Sequence, residues 1–228
     1  MKKYIYLFIL ASILLLLTAC APPNSTFDMA YPRMYQNTPQ TVLILPPINN
    51  STAADAKEYF SCSLSQAVGL KGYYPLPVEA MFGVLRDEGL YDTENINPAV
   101  LKNFKEHFGA DAVLLSTIEK WDKSWAITSG SLKITSKFVL MDTATADTLW
   151  NYTMATKVTI SSSSDNLLMA ALESAIKTAT EDYFPNCLKA NVATMDMTLP
   201  YGKHHPGYLQ DKAKTVHPRK TGKLQISK

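Results

Sequence analysis

The sequence predicts an α/β (α+β) fold: a single domain with a mixed β-sheet and helices in the order β-α-β-α-α-β-β-β-α. Three observations carry that expectation. Short β-branched and apolar runs at Thr41–Leu45 and Tyr73–Pro77 flank a segment of helical periodicity, so the two strands should lie parallel across a helical crossover. Alternating runs between Ala112 and Ile160 are separated by short turns, the pattern of an antiparallel meander. Apolar residues make up 46% of the chain and charged residues 18%, enough for a packed core and too few charges for wholesale disorder.

The N-terminus sets the expected address. Lys2 and Lys3 precede a mostly apolar stretch, Ile5–Leu17, that has the length of a secretory signal and falls short of the ~20 residues a membrane-spanning helix needs. It closes on Leu17-Thr18-Ala19-Cys20, which reads as a bacterial lipobox. Residues 1–19 are then a cleaved signal and Cys20 carries the lipid, which would hold the chain on a membrane. Ala21 after the cysteine favours sorting to the outer membrane, with the domain in the periplasm. Residues 20–40 hold Pro22, Pro23, Pro32 and Pro39 without sustained periodicity and read as a tether.

The domain is expected over 41–200. Pro46-Pro47 end the first strand, and Asn49–Thr52 supply a turn. A helix from about Ala53 to Leu70 presents Ala56, Tyr59, Phe60, Leu64, Ala67 and Val68 on one face and stops at Gly69 and Gly72. After the Tyr73–Pro77 strand, a helix starting at Pro77 buries Val78, Met81, Phe82 and Leu85. Asn97-Pro98 open another, carrying Leu101, Phe104 and Phe108 and closed by Gly109. The meander runs Ala112–Trp121, with continuation to Ile127 open, then Leu132–Met141 and Thr148–Ile160, with turns at Ser129-Gly130-Ser131 and Ala144–Asp147. A final helix is expected from Asp165 to Phe184, ended by Pro185, with a polar segment beyond.

Charge divides the chain. Loss of Lys2 and Lys3 with the signal leaves 20 basic against 20 acidic residues. Residues 201–228 hold seven Lys or Arg against one acid, Asp211, so a basic tail of +6 follows a body of −6. In an envelope compartment such a tail suits anionic lipid, lipopolysaccharide or an acidic partner better than nucleic acid.

No catalytic constellation stands out. There is no GxSxG, HExxH, zinc-ligand spacing or glycine-rich phosphate loop, and His107 alone of the histidines falls within the expected domain. No metal, cofactor or enzymatic activity is expected. Cys62 and Cys187 remain after Cys20, either as a disulfide or as two reduced cysteines packed as small hydrophobes. A bond would close a loop of about 125 residues and contribute at most about 5 kcal/mol. Trp121, Trp125 and Trp150 would line a ligand groove if exposed, and would be core otherwise.

Leu45–Pro47, Tyr73–Pro77, Gly109-Ala110-Asp111-Ala112-Val113, Leu199–Gly202 and His205-Pro206-Gly207-Tyr208, together with the lipobox, resemble the family of bacterial lipoproteins typified by a neisserial genome-derived lipoprotein antigen. The Tyr201–Tyr208 element is the most specific part. The resemblance implies a fold like the N-terminal domain of TolB and the periplasmic domains of curli-secretion-channel and penicillin-binding-protein-activator lipoproteins. It implies no catalytic residues, and it suggests an envelope assembly or secretion role beside a curli-channel-like lipoprotein. The expected function is therefore a non-catalytic accessory or protein-binding subunit of an envelope complex, with Tyr201, Gly202, His205, Pro206 and Tyr208 as the docking or structural element. Homo-oligomerisation stays open. The alternative is a periplasmic lipoprotein that binds a small molecule or glycan at the tryptophans.

Overall fold

The computed structural model describes residues 25–76, 78–87, 93, 97–125, 129–161, 183–216 and 221–226. The signal segment, Cys20 and residues 165–182 of the expected last helix lie outside them. Next to the edge strand of the sheet is β1 (Thr41–Ile44), whose Val42, Leu43 and Ile44 are all buried. A strand apolar on both faces belongs inside a covered sheet. It pairs in parallel with β3 (Tyr74–Pro75) on one side and β4 (Ala112–Trp125) on the other, Val42 opposite Ala112. The expected parallel crossover through α3 (Ala56–Leu70) is thus present. A two-residue β2 (Ile48–Asn49) continues along the same edge of β4.

The meander follows as β4, β5 (Ser129–Asp142) and β6 (Thr148–Ser161), antiparallel throughout. Leu132, Ile134, Ser136, Phe138 and Leu140 face inward along β5, as their alternation requires. Ser129 and Gly130 already belong to β5, so the expected turn there is corrected. The turn residues 126–128 fall outside the described set. In β4 the register shifts between Ile118 and Lys120, which places one extra residue, Glu119, against its partner strand. That bulge turns the pleat over: even-numbered Ala112, Leu114 and Ile118 face inward before it, and odd-numbered Trp121 after it.

Two apolar layers cover the sheet. On one face Val42, Ile44, Leu114, Phe138 and Trp150 pack with Phe60 and Leu64 of α3 and with Cys187 and Met195 of α6 (Phe184–Thr198). On the other, Leu43, Leu45 and Val113 pack with Leu85 of α4 (Val78–Asp87) and with Leu101 and Phe104 of α5 (Pro98–Phe108). Helix α5 has the ends its sequence specifies. The Asn97 side chain accepts from the N–H groups of Ala99 and Val100, and Gly109 closes it at φ 66°. Asp111, just beyond, accepts from the N–H groups of Gln40 and Thr41 and from the Thr41 hydroxyl, tying the start of β1 to the start of β4.

Three expectations are corrected. The stretch beyond Pro185, expected as a polar segment, is helical, with Pro185 in its first turn, where the missing N–H has no intrahelical acceptor to satisfy. The tether is shorter than 20–40: helices α1 (Phe27–Ala30) and α2 (Pro32–Asn37) bury Phe27, Tyr31 and Met34 in the main core. The stretch 201–228 is not a separate tail. Residues 201–216 wrap over the domain, and Thr221–Ile226 add β7, parallel to β6 at the sheet edge. The full strand order is β3-β1-β4-β5-β6-β7, with β2 alongside β4.

Candidate functional site: the clasp at Tyr201–Tyr208

The wrapping segment crosses the main chain at the end of α3. Gly72, at φ 83°, lies so close to it that a Cβ there would sit 2.3 Å from the His205 nitrogen. A Cβ on Gly202 would sit 2.5 Å from the Gly72 carbonyl oxygen. Two glycines therefore let two backbones cross, each at a place where no side chain fits. Hydrogen bonds fix the crossing. The Gly202 N–H donates to Lys71 O, the His204 N–H to Gly72 O, and the Tyr73 hydroxyl to Pro200 O.

Side chains lock what the glycines permit. The Tyr201 ring stacks on His205 with centroids 3.7 Å apart and planes 8° from parallel. Lys71 Nζ lies 4.0 Å from the Tyr201 ring centroid and 3.5 Å from Asp196 Oδ1. The lysine side chain is 5% exposed, and burial lowers its pKa, with Asp196 opposing the shift. The buried Asp211 carboxylate accepts the Tyr201 N–H at 2.6 Å. Burial and the Asp211 charge together push the Tyr35 hydroxyl well above the ordinary tyrosine range. The Gly207 N–H donates to His205 Nδ1, and the Tyr208 N–H to His205 O.

Beyond the clasp the strap returns to the N-terminal segment. The Phe27 N–H donates to Lys214 O, the Asp28 N–H to Lys212 O, and the Val216 N–H to Ser25 O. Thr26 and Thr215 form an antiparallel bridge. The segment that follows the expected lipid anchor is thus held by the segment that follows the clasp.

Of the expected docking residues, Tyr201, Gly202, His205 and Tyr208 are brought together, with Pro206 exposed on the turn. Lys71, Gly72 and Asp211 complete the unit and were not singled out. Asp211 had a signal: a lone acid among seven bases invites the question of what it holds. Four of the large exposed apolar side chains among the described residues neighbour clasp residues in sequence. Leu70 adjoins Lys71, Met197 adjoins Asp196, Tyr74 follows Tyr73, and Leu209 follows Tyr208 at φ 64°.

The tryptophan groove is not formed. Trp121 is buried against Tyr59, centroids 6.4 Å apart, and Trp150 is buried beside Phe138 with its indole N–H donating to Thr198 O. The bulge at Glu119 is what sends Trp121 inward. Trp125 holds the last register position of β4, opposite Gly130. Of the two readings left open for the cysteines, the structure has the reduced one: Cys62 and Cys187 are not bonded to each other. The Cys187 Sγ lies 3.2 Å from Ser63 Oγ, and Cys62, one residue back, points about 100° away round α3. Burial pushes the Cys187 thiol up to about 12. Among the described residues no group of three or more His, Cys, Asp or Glu is placed to hold a metal ion, and no helix is long and apolar enough to cross a membrane.

Comparison with known proteins gives a consistent answer. Lipoprotein NMB1124/NMB1162 of Neisseria meningitidis serogroup B is 25% identical over 162 residues, covering 71% of this chain and 74% of that protein. The crystal structure of lipoprotein GNA1162 from Neisseria meningitidis shares 22% identity, covers 62% of this chain and 97% of its own, and superposes with a TM-score of 0.46. The PelC dodecamer from Paraburkholderia phytofirmans shares 17% identity over 58% of this chain and 82% of its own, with a TM-score of 0.36. The GNA1162-like lipoprotein model matches residues 29–205, which span the strands from β1 to β6, the helices and the clasp as far as His205, and the chain belongs to that family.

Proposed function

We propose that this lipoprotein is a non-catalytic docking subunit of an envelope trafficking, secretion or surface-assembly complex. Lipid on Cys20 would hold it at the outer membrane with its domain in the periplasm. The observation that carries the reading is the hydrogen-bonded clasp itself, whose residues are followed or preceded in sequence by exposed Leu70, Tyr74, Met197 and Leu209. Exposed apolar residues scattered singly need no explanation, but four of them adjoining the residues of one structural element suit a protein partner at that element. The short edge strand β3 lies in the same region and offers main-chain groups beside that patch. The clasp residues serve as the frame: Tyr201 and His205 are spent on each other and on Lys71, so the partner meets the apolar rim. Another envelope lipoprotein, including a curli-channel-like one, fits this role.

The test is photo-crosslinking in the native envelope. A photoreactive residue at Tyr74 or Leu209 of the full-length lipidated protein should give defined adducts with envelope proteins, and one at exposed Lys102 on α5 should not. Adducts of equal yield from all three positions, or none from the rim, would overturn the proposal. Adducts with a second copy of the chain would replace the heterologous partner with a homo-oligomer.

A further inference from the structure

The outer face of the meander carries an arrangement the docking reading does not use. Among the described residues, helices α4 and α5 cover that face around Leu43, Leu45 and Val113, with Leu115 and Met141 packed against them. Further along, β4, β5, β6 and β7 leave a concave cleft of about 690 Å³. Strand register gives its charge pattern directly. One row across the four strands reads Asp122, Lys133, Lys157, Gln225, and the next reads Lys120, Thr135, Ala155, Lys223. Small Thr135 and Ala155 form the floor, and four lysines rise around it.

The charges are not balanced from within. Lys133 and Lys157 are directly opposed on adjacent strands, a like-charge pairing that weakens a sheet. Among the described residues none of the four lysines makes an ion pair, although one row away Lys137 is paired with Glu119 at 2.7 Å. Among the described residues Asp122 is the single acid lining the cleft, opposite Lys133. With strands about 4.8 Å apart, the cleft spreads its ammonium groups over ~14 Å. Lysines of this kind act as point charges toward phosphate, and the open cleft has the volume to admit a head group. No aromatic side chain lines it, which disfavours a stacked base or sugar.

The source follows from where β7 is attached. Lys223 lies seven residues beyond Val216, whose N–H is bonded to Ser25 O. Ser25 follows Cys20 by five residues, at most about 18 Å of extended chain. Counted along the chain and across that bond, lipid on Cys20 would keep Lys223 within about 50 Å of a membrane surface. We propose that the β4–β7 cleft binds the phosphorylated head group of a membrane lipid, with Lys120, Lys133, Lys157 and Lys223 as its ligands. The choice of source rests on the lipid anchor of the proposed function, and the cleft itself is independent of the clasp rim.

The experiment is amine acetylation read by mass spectrometry on the full-length lipidated protein in vesicles. The vesicles contain a zwitterionic phospholipid alone, or the same with a lipid bearing two phosphates. Acetylation of the four cleft lysines should fall several-fold with the phosphorylated lipid, and that of Lys102 should not. The double variant Lys133→Gln/Lys157→Gln should lose protection at Lys120 and Lys223. Equal reactivity in both vesicles overturns the proposal, as does protection by inorganic pyrophosphate in solution without protection by the lipid. Protection in zwitterionic vesicles that rises with protein density would place an acidic face of a second copy in the cleft and also overturn it. Rim crosslinking is unaffected by any of these results, so the two proposals fail separately.

Discussion

Single residues decide how the clasp closes. Gly202→Ala places a methyl group 2.5 Å from a backbone oxygen that cannot move without unseating Gly72, and overpacking of this kind costs typically about 1–3 kcal/mol. A lowered midpoint in thermal or urea unfolding is the expected result, whereas Gly83→Ala, whose Cβ meets open space inside α4, should raise the midpoint slightly through helix propensity. Asp111 gives an acid signature. Burial works to raise its carboxyl, but the Lys105 ammonium and the donors on Thr41 and Gln40 outweigh it and hold the pKa at about 2, against an ordinary 3.8. A depressed carboxylate stabilises fully above its unfolded value, and that contribution is lost as pH falls through the folded one. Asp111→Asn should therefore lower stability at neutral pH and flatten the fall between pH 3.8 and 2, as read from urea midpoints across that range. Cys187, pushed up to about 12, stays protonated at neutral pH and should resist thiol reagents until the protein is denatured.

Among the elements, those with one dominant signal were legible from sequence. Helix α5 announces both ends through Asn97-Pro98 and Gly109, and β5 alternates without interruption from Leu132 to Leu140. Helix α6 hid because half of its buried stripe is polar. Asn191 donates to Ser63, and Thr194 and Thr198 return their hydroxyls to carbonyls one turn back, so these groups sit in the core without unmet bonds. No hydrophobic periodicity marks such a helix. Strand β7 and helices α1 and α2 hid for another reason: each is short, and each is held by a segment far away in sequence. The clasp motif was visible as a pattern, but its role was not, since its partners Lys71, Gly72 and Asp211 come from elsewhere in the chain. Phe27→Ala tests the N-terminal docking. Loss of this buried ring should cost about 3–5 kcal/mol in denaturant unfolding, against almost nothing for a residue of a free tether.

At the scale of the whole molecule, the two ends of the described chain meet. The bonds from Phe27, Asp28 and Val216 join positions nearly the full length of the sequence apart, and the clasp fastens that junction to α3. Truncation before Tyr201 should therefore cost more than the mass removed suggests: α1 and α2 should lose protection in hydrogen exchange along with the strap, and β6 on its β7 side, while β4 and β5 keep theirs. Retained protection at Phe27–Ala30 in that truncation would show that α1 docks without its strap. The junction also sets an order of events in synthesis. A chain made from its N-terminus holds Ser25 and Phe27 without their partners until residue 216 exists. Closure is thus reserved for the last moments of chain growth, and a polypeptide that must cross a membrane before folding keeps its leading end unsealed for the length of that journey.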